Sequence, residues 1–339
     1  MVDKPSAIMG FLGRLLPAGL AVALVLLGGC THLSQPAAEP GPRLFLPAAS
    51  PAPAPDLDLA RRFAPAFLVY NPHQAHNLIG QPRAELDAKG WEQISVDPAR
   101  AVIYWQQREF ATARGAYTNL IYRVHFPATP YSLAPFFIGA GRNMGLMVVV
   151  TLDAARRPVL VTTLGTCGCY VALAPTSRLP AAARPAGWTG EPQQIYGETL
   201  PARLDYAGLK APRLVVGVRP GEHRVMSLMV AEEAALTRHP DRVAADLAPA
   251  EDLTRLPLPG GGRTSFYHQS GLLAGHVKGA WKPWETLLLG VVSLDGLVGM
   301  DKAYAGTGNP FYTSLKPWAR RDSDLWDFPR FLQYWGWRL

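Results

Sequence analysis

The stretch that decides the fold is GLMVVVTLDAARRPVLVTTLGTCGCYVALA, residues 145–174. Two runs rich in β-branched residues, 147–152 and 158–164, flank a polar segment at 153–157. Branched side chains fit a pleated sheet, so the order of strand, tight turn and strand predicts a β-hairpin. A third apolar run, 170–173, follows directly. We therefore predict three neighbouring strands at the centre of a mainly antiparallel sheet.

Cys167 and Cys169 lie at the junction between the second and third of these strands. On one extended strand their Cα atoms would be about 6.6 Å apart, which is the upper limit for a disulfide, and Gly168 allows the chain to bend. Three interpretations are open. The pair forms a small structural disulfide, binds a metal together with histidines, or is redox-active.

His73 and His76 are the candidates for completing a metal site. They follow an Asn-Pro pair, which is typical of a helix start, so both imidazoles would lie on one face of a helical turn. Together with Cys167 and Cys169 they would offer ligands for zinc or copper. The alternative is two surface histidines in a capped turn, and in that case we expect no cofactor.

A further pair of strands is predicted at 101–110 and 117–126, joined by a glycine-containing turn. One face of the second strand is apolar and belongs to the core, and the other carries Asn119, Arg123 and His125. These three side chains are candidates for lining a groove. A solvated outer face of an antiparallel sheet has the same pattern, so both interpretations stay open.

The C-terminal part of the chain contains the strongest helical and aromatic signals. Residues 283–300 place apolar side chains at helical spacing, which predicts a helix packed on the sheet. Residues 324–339 contain six large aromatic side chains, and so apolar a terminus is expected to dock on the core, with contact to lipid headgroups as the alternative. The predicted fold class is α+β, with a mainly antiparallel sheet and a C-terminal helix and aromatic tail packed on it.

The N-terminus has the composition of a secretory leader. Lys4 and Arg14 precede an apolar run at 15–27, which is too short to span a membrane comfortably. The run ends in LGGC, with the cysteine at position 30. This ending resembles the lipobox of bacterial lipoproteins, in which small residues precede a cysteine that receives a diacylglycerol.

The resemblance covers only the leader, and it implies a location more than an activity. It implies that 1–29 is a signal peptide and that Cys30 is the lipid-anchored first residue of a bacterial cell-envelope protein. Thr31 follows the cysteine, where an aspartate would alter membrane sorting, so the outer membrane is the expected location. The membrane is then a partner through the lipid at Cys30.

Composition divides the rest of the chain into a tether and a domain. Residues 30–58 are rich in proline and alanine, which predicts a disordered tether, and we interpret the short apolar run at 43–46 as an isolated spot within it. Residues 59–339 are predicted to form a single α+β domain. Its length is near the limit for one core, so a subdivision near residue 257 is possible.

Several function classes are disfavoured by the sequence. The net charge of +7 comes from dispersed basic residues without Lys/Arg runs, so we expect no nucleic-acid partner. The chain has no G-x-S-x-G motif, which disfavours a serine hydrolase. We expect a non-catalytic lipoprotein that binds an envelope protein or a small ligand. The alternative is a metal-binding or redox-active lipoprotein that uses Cys167 and Cys169.

Overall fold

A computed structural model describes residues 41–48 and 55–339. The predicted signal peptide, the predicted lipidation site at Cys30 and most of the predicted tether lie outside the described residues. All elements named below belong to one compact unit, Ala37–Leu339, and those on either side of residue 257 are part of the same body.

The main feature of the fold is a ten-stranded sheet. Six further strands of the described residues lie outside this sheet. In chain order the strands are β1 (Arg43–Pro47), β2 (Ala66–Val69), β3 (Gln81–Leu86), β4 (Glu92–Asp97), β5 (Val102–Thr112), β6 (Gly115–Thr129), β7 (Gly141–Asp153), β8 (Pro158–Gly165), β9 (Ala172–Pro175), β10 (Gln193–Ile195), β11 (Glu198–Leu200), β12 (Pro212–Val218), β13 (Val225–Glu232), β14 (Arg242–Pro249), β15 (Leu256–Pro257) and β16 (Arg263–Thr264). The helices are α1 (Pro55–Phe63), α2 (Glu233–Leu236), α3 (Pro283–Ser293) and α4 (Phe328–Tyr334).

The strands of the large sheet follow the order β13-β12-β2-β1-β14-β5-β6-β7-β8-β9. Pairing is antiparallel from β5 to β9, between β12 and β13, and between β1 and β2. It is parallel where β14 meets β1 and β5, and where β2 meets β12. The remaining strands of the described chain form three two-stranded ribbons.

The predicted hairpin consists of β7 and β8, and β9 pairs with β8 beside it, but these three strands form one end of the large sheet and not its centre. Its turn is closed by Asp153, whose Oδ1 accepts hydrogen bonds from the backbone N–H groups of Ala155 and Arg157 at 3.0 and 2.9 Å. Both faces of these strands are buried, since the neighbours Val148 and Val149 belong to cores on opposite sides. Double burial explains why the runs are apolar throughout instead of alternating.

A separate layer packs on each face of the sheet. On one face lies α1, where the carbonyl of Ala60 accepts a hydrogen bond from the hydroxyl of Tyr122 on β6 at 2.6 Å. The other face carries the C-terminal segment, in which Phe328, Phe331 and Trp337 are at most 3% exposed. The predicted α+β class is confirmed, with a mainly antiparallel sheet and a C-terminal helix and aromatic tail packed on it.

One part of the predicted tether is a strand of the sheet. β1 lies between β2 and β14, and Phe45 is 3% exposed within the core. In addition, α1 begins at Pro55, so the prediction of disorder is wrong for 43–47 and 55–58. The run is apolar because a central strand is covered on both faces. A run as short as β1, with a proline at each end, does not indicate from its sequence that it pairs with β2 and β14.

α3 is shorter and more exposed than the helix predicted over 283–300. It ends where Leu294 adopts a left-handed backbone with φ of 51°. Leu287, Val291 and Leu294 were expected to face the sheet but are 65%, 79% and 76% exposed. Glu285 faces the interior instead, and its Oε2 lies 3.8 Å from Lys282 Nζ. The side of this helix that carries the charged pair is therefore the buried side. Among the helices of the described residues, none has both the length and the apolar character needed to cross a bilayer.

Candidate functional site

The polar face of β6 lies in the interior of the protein. Asn119, Arg123 and His125 are 1%, 4% and 0% exposed, because segments from the C-terminal half cover this face. The interpretation as a solvated outer face is therefore wrong. Asn119 and Arg123 each line a cavity, and His125 contacts the ring of Tyr104, which lines the same cavity as Arg123, and the ring of Phe266.

The cavity that Arg123 lines, called the Arg123 cavity below, has a volume of about 340 Å³. The sheet contributes Tyr104, Gln106, Ile121, Arg123 and Met147 to its wall. The covering side comes from three segments of the chain, within 250–254, 265–275 and 303–307. Its size falls in the range of about 300 to 1,000 Å³ that is typical of small-molecule sites.

Arg123 is held by two protein contacts and keeps unused donors. Its Nε donates to His125 Nε2 at 3.2 Å, and its Nη1 donates to the backbone carbonyl of Lys302. Its Nη2 has no hydrogen-bond partner among the described residues. The guanidinium also lies 5.5 Å from the centre of the Tyr267 ring. The side chain is therefore fixed in place, with a charge that no carboxylate of the described chain pairs.

His125 behind Arg123 is neutral. Burial, and then the adjacent charge of Arg123, lower the pKa of His125 well below its usual 6.5. Its Nε2 accepts the hydrogen bond from Arg123, so the ring proton is on Nδ1. The imidazole therefore orients the guanidinium without adding a second positive charge.

Three tyrosine rings form much of the remaining wall. Burial raises the pKa of Tyr104 and Tyr267 and raises the pKa of Tyr304 to about 12, so the phenols stay protonated near neutral pH. The hydroxyl of Tyr304 donates to the carbonyl of Leu325 at 3.2 Å. These rings provide apolar surface and hydrogen-bonding groups without negative charge.

The other polar groups of the wall hold its shape. Gln106 Nε2 donates to the carbonyl of Tyr304 at 3.0 Å, and Ser265 Oγ accepts from the backbone N–H of Tyr267 at 3.0 Å. Glu251 also lines the cavity, but its carboxylate is solvent-exposed and pairs with Arg255 at 3.2 Å. The buried part of the wall is thus apolar and aromatic, and it surrounds one cation, the guanidinium of Arg123.

Asn119 lines a separate cavity of about 360 Å³. Its Oδ1 accepts a hydrogen bond from Thr151 Oγ1 at 2.8 Å, which ties β6 to β7. The guanidinium of Arg108 lies 3.4 Å above the Trp326 ring in the same cavity, and Tyr304 lines both cavities. Arg108 is only half-buried, whereas Arg123 is buried, so the Arg123 cavity is the stronger candidate.

Cys167 and Cys169 are joined by a disulfide bond, with their Cα atoms 5.5 Å apart. They lie in the turn between β8 and β9, where Gly168 has a φ of +93°. A Cβ at position 168 would lie 2.2 Å from the carbonyl oxygen of Tyr312, so the close approach requires glycine. The structure thus has the bonded pair, which is the form expected both for a structural disulfide and for the oxidised state of a redox-active pair.

A buried ionic network lies against this turn. Lys302 donates through Nζ to the carbonyl of Cys167, and Lys282 pairs with Asp301 at 3.0 Å. Thr166 also donates to the Asp301 carboxylate. Burial and the charge of Lys282 lower the pKa of Lys302 to about 8. Buried charges are tolerated when they are paired and hydrogen-bonded, and these contacts join the turn to the segment that covers the sheet.

The structure does not bring His73 and His76 to the cysteines. His73 is exposed, and His76 lies in the 3₁₀ helix Ala75–Asn77 with its ring 6.5 Å from that of His223. It is His223 that reaches the small cavity next to the disulfide. The ligating atoms that meet within 4.8 Å in the described part of the chain belong to Cys167, Cys169 and Glu285. The predicted four-residue ligand set is therefore wrong.

Sequence reasoning found Arg123 but not the residues that complete its cavity. Tyr104 could have been found, because the β5–β6 turn sets a register that places it directly opposite Arg123. Tyr267 and Tyr304 follow no motif and come from distant parts of the chain. The sequence carries no local signal that these two side chains meet β6.

Comparisons with known proteins give no family for this chain. No family model matches it, and no curated protein or solved structure is significantly similar to it. The chemistry of the site is therefore the basis for a functional assignment.

Proposed function

We propose that the protein is a lipid-anchored lipoprotein of the bacterial cell envelope whose domain binds a small ligand in the Arg123 cavity. The lipobox-like ending at Cys30 supports the anchor, with the outer membrane as the expected location. The observation that carries the binding function is the cavity of about 340 Å³, with aromatic walls and a buried guanidinium. Ligand sites are typically concave and mostly apolar, with a few placed polar groups.

The chemistry of the wall supports binding more than catalysis. Ser265 and Gln106 use hydrogen bonds to hold the wall, and the three tyrosines are protonated near neutral pH. The guanidinium of Arg123 has hydrogen-bond donors and no acceptor, so it is suited to binding the oxygen atoms of a ligand. A non-catalytic domain is therefore the form of the proposal that the lining favours.

Calorimetric titration with two probes, naphthalene-2-carboxylate and its neutral analogue 2-naphthamide, tests this function. Ala305 lines the cavity and is exposed, so Ala305→Trp should fill the opening without disturbing the core. Ala207 is exposed and does not line the Arg123 cavity, so Ala207→Trp is the matched control. We expect at least one probe to bind with one-to-one stoichiometry, and Ala305→Trp to weaken it about tenfold or more. Absence of binding by both probes, or unchanged affinity in Ala305→Trp, would contradict the function.

A second candidate function is metal binding by the reduced form of the protein. Cys167, Cys169 and Glu285 place two sulfurs and a carboxylate within 4.8 Å of one another, beside a cavity of about 30 Å³. Cleavage of the disulfide by a two-electron reductant gives two thiols, and their thiolates are ligands for zinc or copper. The bonded sulfurs cannot act as thiolates, so this candidate requires reduction first.

Metal content of the protein decides this second candidate. Wild-type protein and Cys167→Ser/Cys169→Ser would be treated with tris(2-carboxyethyl)phosphine, incubated with zinc and desalted. Stoichiometric zinc in the wild type alone would support the candidate. Equal, substoichiometric zinc in both would exclude it. In that case the double variant should be less stable than the disulfide-bonded wild type by at most about 2 kcal/mol. The disulfide closes a ring of only three residues, and such a ring constrains the unfolded chain by only about 1.6 kcal/mol.

A further inference from the structure

We infer that the ligand of the Arg123 cavity is a small organic anion, with an oxyanion head group bound by Arg123 and a flat apolar body between the tyrosine rings. The inference rests on the proposed binding function and adds the chemical class of the ligand. It is carried by the unpaired charge of Arg123, its unused donors and the composition of the walls.

Arg123 is the exception among the buried arginines of the described chain. The others each pair with a carboxylate: Arg213 with Glu233 at 3.0 Å, and Arg219 and Arg224 with Glu198. Arg123 is 4% exposed and forms no such pair with any described residue. A buried charge without a counter-charge is strongly unfavourable. An anion in the cavity would supply the missing charge.

The guanidinium of Arg123 is also preorganised for an oxyanion. Its Nε and Nη1 are held by His125 and by the carbonyl of Lys302, which fixes the plane of the group. Nη2 has two N–H donors that no described residue accepts, and because this atom is enclosed an anion would reach it through a small shift of the surrounding wall. Hydrogen bonds from arginine to carboxylate or phosphate oxygens are short and strong. Because the side chain is fixed in advance, binding costs little conformational entropy.

The walls favour one negative charge on an apolar body. Ile121 and Met147 are 2% and 0% exposed, and the Tyr267 ring adjoins the guanidinium. Aromatic walls of this kind favour a flat ring system. Glu251 at the exposed side is paired with Arg255, which leaves Arg123 as the unpaired charge of the lining. A neutral apolar ligand would fit the walls but would leave the guanidinium without a counter-charge.

The two probes defined above test this class directly, since naphthalene-2-carboxylate and 2-naphthamide differ in charge but hardly in shape. Wild-type protein should bind the acid about tenfold or more tightly than the amide. Arg123→Met should abolish this preference while the affinity for the amide persists. Arg114→Met removes an exposed arginine from the β5–β6 turn and should keep the preference.

Equal affinities of the two probes for wild-type protein would overturn the inference. The proposed function would survive that result if Ala305→Trp still blocked both probes. Arg123 also bonds His125 and Lys302, so a second measurement avoids dependence on the folding of Arg123→Met. In nitrogen-15 NMR of wild-type protein, the Nε signal of Arg123 should shift with the acid and not with the amide. An unchanged signal at saturating acid would overturn the inference equally.

Discussion

Arg123 on β6 donates a hydrogen bond through Nη1 to the backbone carbonyl of Lys302, which is 179 residues further along the chain. This bond joins the sheet to the segment that covers the cavity, and the adjacent Ala303 lines the cavity itself. Lys302 donates in turn to the carbonyl of Cys167. The cavity and the disulfide turn are therefore connected through one buried lysine.

The first prediction concerns β1, which lies within the segment predicted to be a tether. Phe45→Ala should reduce the free energy of unfolding by about 3 to 5 kcal/mol, because Phe45 is buried in a central strand. Arg43→Ala on the same strand is the control. It breaks a partly exposed pair with Asp241 and should cost less than about 1 kcal/mol. Urea unfolding measures both, and equal small losses would show that β1 does not contribute to the core.

The second prediction concerns the aromatic C-terminus. Phe331 is 0% exposed, so Phe331→Ala should cost about 3 to 5 kcal/mol of unfolding free energy. Truncation after Asp322 removes α4 and its buried rings and should prevent folding. Trp318 is 80% exposed, and Trp318→Ala should change stability by less than about 0.5 kcal/mol. A truncated protein that melts cooperatively would contradict the prediction.

The third prediction is a pH dependence of stability that arises from His223. Burial, and then the charge of His76, lower the pKa of His223 from 6.5 to about 3. The unfolded chain therefore binds a proton near pH 6.5 that the folded protein does not bind. The stabilisation is present above pH 6.5 and is lost progressively as the pH falls toward 3. By pH 5 the loss is about 2 kcal/mol.

Unfolding free energies measured at pH 7 and pH 5 test this dependence. His223→Asn should reduce the difference between the unfolding free energies at pH 7 and pH 5 by about 2 kcal/mol. Asparagine is suitable because it tolerates the left-handed φ of 55° at this position. Gln74→Asn, at an exposed site without a titratable group, is the control and should leave the difference unchanged. A His223→Asn variant with the full wild-type pH dependence would refute the assignment to His223.

The fourth prediction concerns the anchor. If Cys30 is the lipidated residue, Cys30→Ala should accumulate as an unprocessed precursor without lipid. Mass spectrometry of the mature wild-type protein should then detect a diacylglycerol-modified cysteine at its N-terminus. An unmodified Cys30 in the mature protein would show that the resemblance to a lipobox is incidental.

The hairpins could be predicted from sequence because their information is local. Asp153 accepts hydrogen bonds from residues two and four positions ahead, so the β7–β8 turn is encoded within five residues. Alternation along β6 likewise identified Arg123 as facing away from the apolar side. Whether that face was covered could not be predicted, because the covering segments are more than a hundred residues away.

The remaining elements depend on long-range partners. β1 becomes a central strand only through β2 and through β14, whose Arg242 pairs with Leu44. The inward side of α3 is selected by Glu285 and its partner Lys282, and its apolar stripe remains exposed. The two tyrosines of the covering segments come from parts of the chain far from β6 and line the cavity in the folded domain. Periodicity describes a face of an element, but the partner of that face is a property of the tertiary structure.

A crystal structure of the domain grown with naphthalene-2-carboxylate tests the central claim most directly. The acid should occupy the Arg123 cavity, with a carboxylate oxygen within hydrogen-bond distance of the Arg123 guanidinium and its rings beside Tyr267. A fully occupied acid at another position, or a carboxylate directed away from Arg123 toward solvent, would contradict the claim.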